Sequence, residues 1–327
     1  MLQLFALDAG RDLGERVAAA LGVGLAAHEE RSFEDGEHKA RPLVGLRGAD
    51  VYVLQGLHGG PDQSPNDRLC RLLFFLGAVR DAGAARVTAV VPYLAYARKD
   101  RRTQPRDPVT TRYVAQLFEA MGVDAVLAME VHNLVAFQNA FRCRAEHLDA
   151  RALFAPRLRE LAGEGPVVVA SPDPGGVKRA QLFREGFERL LGREVGGAFM
   201  EKRRSGGVVS GEMLVGEVAG ATVIVVDDLI SSGGTMLRAA EACLARGAAR
   251  VLAVAAHGLF TGNAAEAMAA PALARVLVSD TVPPFRLPPG LIGPRVEVVS
   301  AAPLLAAAIR RLHEGGSLTA LLEGGGA

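Results

Sequence analysis

Cysteine is scarce in this chain of 327 residues, and tryptophan is absent. The three cysteines, Cys70, Cys143 and Cys243, lie far apart and lack the short spacing of metal-binding pairs. A scattered, odd-numbered set excludes a disulfide framework and a cysteine zinc site, and it predicts a reducing, cytoplasmic location. Long apolar runs are also missing, because none approaches the roughly 18 residues of a membrane span and Asp8 interrupts the N-terminus. We therefore predict neither a transmembrane helix nor a secretory signal.

An excess of charge of one sign is missing as well. The 37 Lys and Arg residues balance 36 Asp and Glu residues, which gives a formal net charge of +1. This balance excludes the global electrostatic footprint of a protein that binds nucleic acid or an anionic membrane. Half of the residues are apolar and 22% are charged, which excludes disorder and coiled coil and allows two domains with real cores. Because only 4 of the basic residues are lysines, each lysine is a candidate for a specific role.

Short β-branched runs alternate with amphipathic stretches along the whole chain. Buried strands that alternate with helices are typical of parallel sheets covered on both faces, so the pattern predicts an α/β fold. The predicted strands are Leu2–Leu7, Val51–Gln55, Val87–Val91, Ala125–Glu130, Val167–Ser171, Thr222–Asp227, Val251–Ala256, Val276–Ser279 and Val296–Val299. The predicted helices are Arg11–Leu21, Asn66–Ala82, Pro108–Met121, Gly176–Leu191, Thr235–Arg246 and Pro303–Glu314.

Two segments of the chain resemble each other. Residues 83–97 read GAARVTAVVPYLAYA, and residues 247–262 read GAARVLAVAAHGLFTG. A Gly-Ala pair opens a strand upstream of each, in GADVYVLQG (48–56) and GATVIVVDD (220–228). A repeated supersecondary unit of this size predicts two domains of one fold, and we expect their boundary near residues 144–155. Chance similarity in a chain rich in alanine, arginine and glycine is the alternative.

The strongest local signal is the segment VIVVDDLISSGGTM, residues 223–236. A buried strand ends at two carboxylates, Asp227 and Asp228, and a loop of small residues then opens a helix. Ligands of open α/β sheets bind beyond the carboxyl ends of strands, and N–H groups at a helix N-terminus converge on phosphate. The carboxylates repel phosphate, so they suit sugar hydroxyls or a metal; a capped turn with solvated acids is the alternative. The predicted phosphate cradle consists of Ser231, Ser232, Gly233, Gly234 and Thr235.

This loop resembles the phosphoribosyl-diphosphate (PRPP) binding motif of type I phosphoribosyltransferases. Further segments occur in the order found in ribose-phosphate pyrophosphokinases, also called PRPP synthases, and they span essentially the whole chain. Several of them are not shared by ordinary phosphoribosyltransferases. The segments are SFEDGE (32–37), PYLAYARKDRR (92–102), MEVHN (129–133), SPDPGGVKRA (171–180), EKRR (201–204), AHGLFTGNA (256–264) and VVSAAPLLAAAIRRLHEGGS (298–317).

The resemblance implies a fold, a reaction and an assembly. The fold is two tandem phosphoribosyltransferase-like domains, 1–148 and 149–327, each a mainly parallel sheet flanked by helices, with the last helix (303–314) packing back on the first domain. The reaction is the magnesium-dependent transfer of the β,γ-diphosphoryl group of ATP to the anomeric hydroxyl of ribose 5-phosphate, which gives PRPP and AMP. The assembly is a homo-hexamer that completes its sites across subunits. Two alternatives stay open: a non-catalytic regulatory homologue, and a phosphoribosyltransferase that uses PRPP.

The resemblance also assigns the nucleotide site. Phe33 offers an aromatic face for adenine, and Asp35 and Glu37 can accept hydrogen bonds from the adenine amino group. The segment SFEDGE alone is typical of a surface turn. The basic run that begins at Arg98 suits ATP phosphates, because guanidinium groups form paired hydrogen bonds with phosphate oxygens. The family usually has Gln where this chain has Lys99. The expected ATP-binding residues are Phe33, Asp35, Gly36, Glu37, Arg98, Lys99 and His132.

Metal binding and catalysis are assigned in the same way. His132 and Asp173 are the expected Mg²⁺ ligands, the imidazole as a weak or water-mediated contact because Mg²⁺ prefers oxygen. Lys202 and Arg204 are the expected catalytic residues, on a loop flanked by glycines. Diphosphoryl transfer needs positive charge against the phosphates more than it needs a covalent nucleophile. A solvated basic hairpin is the alternative for this segment.

One position departs from the family motif in a way that affects the chemistry. Ser231 stands where the family loop commonly has a third aspartate, and serine cannot act as a general base at neutral pH. We expect the phosphate cradle to survive this change. We also expect Lys178 and Arg179, which follow the Gly-Gly pair of SPDPGG, to lie on a helix surface.

Overall fold

The computed structural model describes residues 1–205 and 208–322, and for residues 202–205 and 208–212 it describes the backbone alone. The strands are β1 (Leu2–Ala6), β2 (His28–Ser32), β3 (His38–Pro42), β4 (Asp50–Leu54), β5 (Arg86–Val91), β6 (Ala125–Met129), β7 (Arg144–Leu148), β8 (Val167–Ser171), β9 (Gly196–Ser205), β10 (Val208–Val215), β11 (Thr222–Ile230), β12 (Arg250–Gly258), β13 (Arg275–Ser279) and β14 (Val296–Val299). The helices are α1 (Arg11–Leu21), α2 (Pro65–Asp81), α3 (Thr110–Ala120), α4 (Leu134–Ala140), α5 (Arg151–Ala162), α6 (Val177–Leu191), α7 (Gly234–Ala245), α8 (Ala264–Ala269), α9 (Ala302–Glu314) and α10 (Leu318–Leu322).

The chain divides into two compact units. One consists of Met1–Asp149 together with the chain from Ala301, and the other is Ala150–Ser300. The boundary predicted at residues 148/149 lies next to this division. The helix predicted over 303–314 belongs to the first unit, so the second unit ends at Ser300 and does not extend to the C-terminus. Across the described parts of both units, no helix is long and apolar enough to cross a membrane.

The first unit is built on a parallel sheet with the strand order β1-β4-β5-β6-β7. Its central strands, β4, β5 and β6, are buried runs without polar alternation, as expected for a sheet that helices cover on both faces. The core contains Phe5, Phe75 and Phe118, from β1, α2 and α3. A capping box between Ser64 and Asp67 fixes the start of α2. The antiparallel hairpin of β2 and β3 packs on α2.

The C-terminal helix is held on the first unit by packing and by a polar network. Helix α9 packs against α1. At the amino ends of β4 and β5, Arg86 donates from Nε to Asp50 Oδ1 at 2.6 Å and from Nη2 to the carbonyl of Leu312 at 3.0 Å. His313 Nδ1 lies 2.6 Å from Asp50 Oδ2. Two consecutive residues of α9 are therefore tied to the first residues of two strands.

The second unit repeats this architecture. Its sheet has the order β10-β9-β8-β11-β12-β13-β14, in which β9 and β10 pair antiparallel and the other neighbours are parallel. In both units a first strand and helix precede an antiparallel hairpin, and four parallel strands then follow in sequence order. This shared order gives the mainly parallel α/β fold expected from the sequence, and it supports the predicted duplication.

The repeated Gly-Ala segments form the same backbone hydrogen bonds in both units. The N–H of Gly48 donates to the carbonyl of Gly83 at 2.9 Å, and the N–H of Gly220 donates to the carbonyl of Gly247 at 2.8 Å. In the same way the N–H of Ala85 donates to the carbonyl of Ala49 at 2.8 Å, and the N–H of Ala249 donates to the carbonyl of Ala221 at 2.9 Å. All four glycines have positive φ, which L side chains rarely adopt, so the repeated glycines are explained by backbone conformation.

Every strand and helix predicted from the sequence is present, although some ends differ. Strand β11 continues to Ile230, so Asp227 and Asp228 lie within the strand and not after it, because β12 is equally long and pairs with it as far as Gly258. The prediction of a loop around Lys202 is wrong for residues 202–205, because strand β9 extends to Ser205. Hairpin β2–β3 was outside the prediction because its charged, water-exposed strands lack apolar alternation.

Candidate functional site

The acidic pair and the predicted phosphate loop occupy the carboxyl edge of the second unit's sheet. Strand β11 lies between β8 and β12 and is parallel to both, so its end is at the centre of this edge. Gly233 has φ of +79° and precedes the first residue of α7. A methyl group at position 233 would lie 2.7 Å from Met268 Cε and 2.9 Å from Ala267 Cβ. Glycine is therefore required there, and the tight turn brings the N-terminus of α7 to the strand end.

Asp227 and Asp228 share one cationic partner, Arg179 of α6. Arg179 Nη1 lies 3.2 Å from Asp227 Oδ1 and 3.4 Å from Asp228 Oδ1. Asp227 Oδ1 also accepts from the backbone N–H of Asp228 at 2.9 Å. Burial and the neighbouring carboxylate of Asp228 raise the pKa of Asp227 well above its usual range, and Arg179 opposes that rise. The expectation that Arg179 lies on a helix surface is therefore wrong, whereas the side chain of Lys178 is exposed.

Ser231 ties the predicted phosphate loop to the segment after β12. Its hydroxyl lies 2.9 Å from the hydroxyl of Thr261, and its carbonyl accepts from the N–H of Thr261 at 2.9 Å. Ser232 is exposed, and Thr235 is partly exposed in the first turn of α7. The loop thus offers hydroxyl and backbone donors at a helix N-terminus, which is an arrangement suited to phosphate.

Asp173 follows β8, the strand beside β11. Its Oδ1 accepts from the N–H of Gly176 at 2.9 Å, and its carbonyl accepts from the hydroxyl of Ser171 at 2.6 Å. A methyl group at position 176 would lie 2.7 Å from Ser171 Oγ and 3.8 Å from both Asp173 Oδ1 and Arg179 Nη1. Glycine is therefore required at position 176 by the close approach of Ser171. Because β8 and β11 are parallel neighbours, the sheet brings Asp173 to the same edge as Asp227.

The expected catalytic pair lies at the end of β9, where only the backbone is described. The backbone of Lys202 pairs with Glu212, and that of Arg204 pairs with Val209, across the β9–β10 hairpin. The predicted turn residues Gly206 and Gly207 also lie outside the described residues.

In the first unit, SFEDGE forms the turn of the β2–β3 hairpin. The N–H of Phe33 donates to the carbonyl of Glu37 at 2.8 Å, and Asp35 accepts from the N–H of Glu37 at 3.1 Å. Gly36 has φ of +93°, as this tight turn requires. The Phe33 ring is 40% exposed, and the guanidinium of Arg31 lies 5.0 Å from its centroid. An exposed aromatic face beside a cation is compatible with stacking of a nucleobase.

The basic loop after β5 is organised by Asp107. Asp107 Oδ2 accepts from Lys99 Nζ at 2.5 Å, from Thr103 Oγ1 at 2.7 Å and from the N–H of Gln104 at 2.9 Å. Hydrogen bonds from Lys99 and Thr103 lower the pKa of Asp107 well below its usual range. The Lys99 ammonium is thus bound within its own loop, while the side chain of Arg98 is exposed.

His132 lies at the end of β6, beside this basic loop. Glu130, just after the strand, has φ of +42°, and the N–H of Val131 donates to His147 Nε2 at 3.3 Å. Asn133 caps α4 and donates from Nδ2 to Asp100 Oδ2 at 2.6 Å. The side chain of His132 is exposed. Since β5 and β6 are parallel neighbours, the basic loop and His132 share the carboxyl edge of the first sheet.

The described residues bring one group of three potential metal ligands together, and it does not include His132 or Asp173. This group is Asp8, His28 and Glu30, where Glu30 Oε1 lies 3.2 Å from His28 Nε2 and accepts from the Asp8 N–H at 2.5 Å. These internal hydrogen bonds account for the cluster without an ion. Mg²⁺ keeps several waters and binds substrate phosphates, so one carboxylate such as Asp173 fits its needs without a three-ligand cluster.

Sequence reasoning missed two residues of these loops, Arg179 and Asp107. Arg179 is six residues from Asp173 and 48 residues from Asp227, so no local spacing indicated the contact. Asp107 ends a run of basic residues that also contains Asp100, and nothing in the local sequence distinguished the two acids.

Comparisons with known proteins match the whole chain. A family model described as the N-terminal domain of ribose phosphate pyrophosphokinase matches residues 2–122, and a phosphoribosyl synthetase-associated domain matches residues 210–323. A ribose-phosphate pyrophosphokinase of Caldanaerobacter subterraneus is 37% identical over 98% of this chain and 97% of its own length. That of Aquifex aeolicus is 35% identical over 98% of both chains. The crystal structure of phosphoribosylpyrophosphate synthetase from Mycobacterium smegmatis matches with a TM-score of 0.86 and 32% identity, over 96% of this chain and 99% of that one.

Proposed function

The chain belongs to the ribose-phosphate pyrophosphokinase family, and we propose that it transfers the β,γ-diphosphoryl group of ATP to the anomeric hydroxyl of ribose 5-phosphate. The hydroxyl oxygen forms a bond to the β-phosphorus, the bond between that phosphorus and the α-phosphate oxygen breaks, and the hydroxyl proton is released. The products are PRPP and AMP. The observation that carries this proposal is sequence similarity to ribose-phosphate pyrophosphokinases along nearly the whole chain, at 37% identity for the relative from Caldanaerobacter subterraneus. The acidic pair and the phosphate loop at the edge of the second sheet support it.

We propose that the second unit binds ribose 5-phosphate. The N–H groups at the start of α7 and the hydroxyls of Ser232 and Thr235 hold the 5-phosphate, because a helix N-terminus favours an anion. Asp227 and Asp228 accept hydrogen bonds from ribose hydroxyls. Ser231 keeps the phosphate loop in place through Thr261 and takes no proton from the sugar.

We propose that loops of the first unit bind ATP. Phe33 stacks on adenine, Asp35 and Glu37 accept from its amino group, and Arg98 binds phosphate. Lys99 acts through Asp107 by fixing the basic loop, and this assignment is supported by the 2.5 Å ion pair between them. Mg²⁺, held by Asp173 with His132 as a weaker contact, would neutralise charge on the phosphates when it is bound. Lys202 and Arg204 supply further positive charge in the transition state.

An AMP-release assay tests the proposed reaction. The purified chain is incubated with ribose 5-phosphate, ATP and Mg²⁺, and we expect equal amounts of AMP and PRPP without ADP. Ribose without its phosphate serves as the control substrate and should react poorly, because it cannot use the phosphate loop. No AMP from a folded protein would favour a non-catalytic homologue. Consumption of PRPP with a nucleobase would favour a phosphoribosyltransferase.

We also propose a cytoplasmic homo-hexamer whose nucleotide sites are completed by the Phe33 turn of a neighbouring subunit. Free cysteines are compatible with a reducing compartment, and the turn at Phe33 carries an exposed aromatic ring. The test mixes two inactive variants, Phe33→Ala and Lys202→Ala, under conditions of proven subunit exchange. Sites shared between subunits should regain part of the activity. If mixing restores nothing, or if the fully active protein has a monomeric mass by light scattering, the shared-site proposal is wrong.

A further inference from the structure

One arginine links helix α6 to strand β11 at the acidic pair of the second unit. Arg179 projects from α6, the helix that follows β8, and its Nη1 contacts one carboxylate oxygen of Asp227 and one of Asp228 on β11. Its side chain is 17% exposed, and that of Asp228 is 5% exposed. The three charged groups are therefore largely removed from water. Desolvation makes their mutual arrangement energetically important.

Two adjacent carboxylates at the end of a buried strand cannot both stay ionised without a counter-charge. Their repulsion and their desolvation both favour protonation of one of them. A protonated carboxyl group is a poor acceptor for a sugar hydroxyl, because charge-assisted hydrogen bonds need the ionised form. The guanidinium of Arg179, at 3.2 and 3.4 Å from the two carboxylates, offsets part of their repulsion and desolvation before a ligand binds.

The same contact fixes the orientation of Asp227. Its Oδ1 is held by two donors, the guanidinium of Arg179 at 3.2 Å and the backbone N–H of Asp228 at 2.9 Å. Two donors on one oxygen restrict rotation of the carboxylate. Groups that bind a substrate precisely need this support from the residues behind them.

The loop after β8 approaches the arginine at a glycine. A methyl group at position 176 would collide with Ser171 Oγ at 2.7 Å, so the turn after β8 requires glycine there. The same methyl position lies 3.8 Å from Arg179 Nη1, which is an ordinary van der Waals distance, so Gly176 is close to the guanidinium without being needed to make room for it.

From these contacts we infer that Arg179 is a positioning residue for ribose 5-phosphate, which acts by offsetting the repulsion between Asp227 and Asp228 and by holding Asp227 in a fixed orientation toward the sugar hydroxyls. This inference rests on the proposed function, because it assigns the sugar to the acidic pair. Arg179 itself need not touch the substrate. Its removal should therefore affect the sugar and leave the affinity for ATP unchanged.

The test compares Arg179→Met, Arg179→Lys and the control Lys178→Met, which removes one exposed positive charge from the same helix. We expect Arg179→Met to raise the KM for ribose 5-phosphate by about 10- to 150-fold, the range for loss of charge-assisted hydrogen bonds. The KM for ATP should stay within twofold. Arg179→Lys should recover part of the loss, because it keeps the charge, and Lys178→Met should behave as the parent.

A double-mutant cycle with Asp227→Asn separates positioning from direct binding. If Arg179 acts through Asp227, Arg179→Met should cost less than threefold in the Asp227→Asn background. A full additional loss there, or an equal rise in KM for both substrates, would overturn the inference. If Arg179→Met does not fold, the same cycle with Arg179→Lys decides. An inactive parent enzyme would contradict the proposed function itself, whereas an active parent with an unaffected Arg179→Met variant would contradict the positioning role alone.

Discussion

Replacing Asp107 by alanine should disorganise the basic loop without disturbing the sheet beneath it. One oxygen of Asp107 accepts hydrogen bonds from the Lys99 ammonium, from the Thr103 hydroxyl and N–H, and from the Gln104 N–H, at 2.5 to 3.0 Å. The variant removes all of these at once. Since we place ATP phosphates on this loop, the loss should appear as weaker ATP binding.

The size of the effect follows from the kinds of hydrogen bond that are lost. Three of them run from neutral donors to a carboxylate, and such charge-assisted hydrogen bonds are stronger than those between neutral groups. The Lys99–Asp107 ion pair adds little, because its side chains are 34% and 24% exposed and water screens them. We therefore expect the KM for ATP to rise by about 10- to 150-fold, the range for loss of one charge-assisted hydrogen bond.

Steady-state kinetics with each substrate varied in turn measure this effect. The KM for ribose 5-phosphate should change by less than threefold in Asp107→Ala, and the melting temperature should stay near that of the parent. Asp107→Asn keeps a neutral acceptor for the backbone donors and should show a smaller loss. Asp81→Ala, the same change at an exposed position at the end of α2, serves as the control. An unchanged KM for ATP in Asp107→Ala would refute the role of this loop in binding the nucleotide.

Three further changes have defined outcomes. Lys202→Ala should lower kcat by about 10²–10³-fold with the fold intact, as expected for loss of one electrostatic donor, and turnover within twofold of the parent would contradict its role. Asp227→Asn should weaken ribose 5-phosphate by about 10- to 150-fold and ATP far less; titration calorimetry that gave equal losses would indicate a general structural role. Arg86→Met should destabilise the first unit by about 2–4 kcal/mol in denaturant unfolding, below the range for a fully buried pair because Arg86 is 29% exposed. Burial raises the pKa of Asp50, but hydrogen bonds from Arg86 and His313 outweigh burial and leave that pKa lowered. The stabilisation is therefore present above the unfolded-state pKa and is lost as the pH falls through the lowered folded value, so the difference in stability between the parent and Arg86→Met should shrink at acidic pH.

The alternation of buried strands with helices was readable because most of the parallel strands contain an apolar run, as β5, β8 and the first half of β11 do, since burial on both faces leaves no polar alternation. The parallel edge strand β7, which reads RAEHL, contains no such run and was not predicted. The repeat was readable for a related reason, because the same left-handed turns recur at Gly48 and Gly220 and demand the same residue. The end of strand β9 was predicted as a loop, with a basic hairpin as the alternative, because its charged residues give no apolar pattern.

The sequence by itself determined the family, the reaction expected of it, and the residues that define its loops. Those features depend on residue type and local spacing, as in the acidic pair followed by a loop of small residues. Only the tertiary structure decided how the loops are supported. Arg179 reaches Asp227 across 48 residues of chain, and α9 returns to Asp50 after the whole second unit. Such contacts depend on which strands lie side by side and on which helix packs over them, and no local pattern encodes the distance between two residues that only folding brings together.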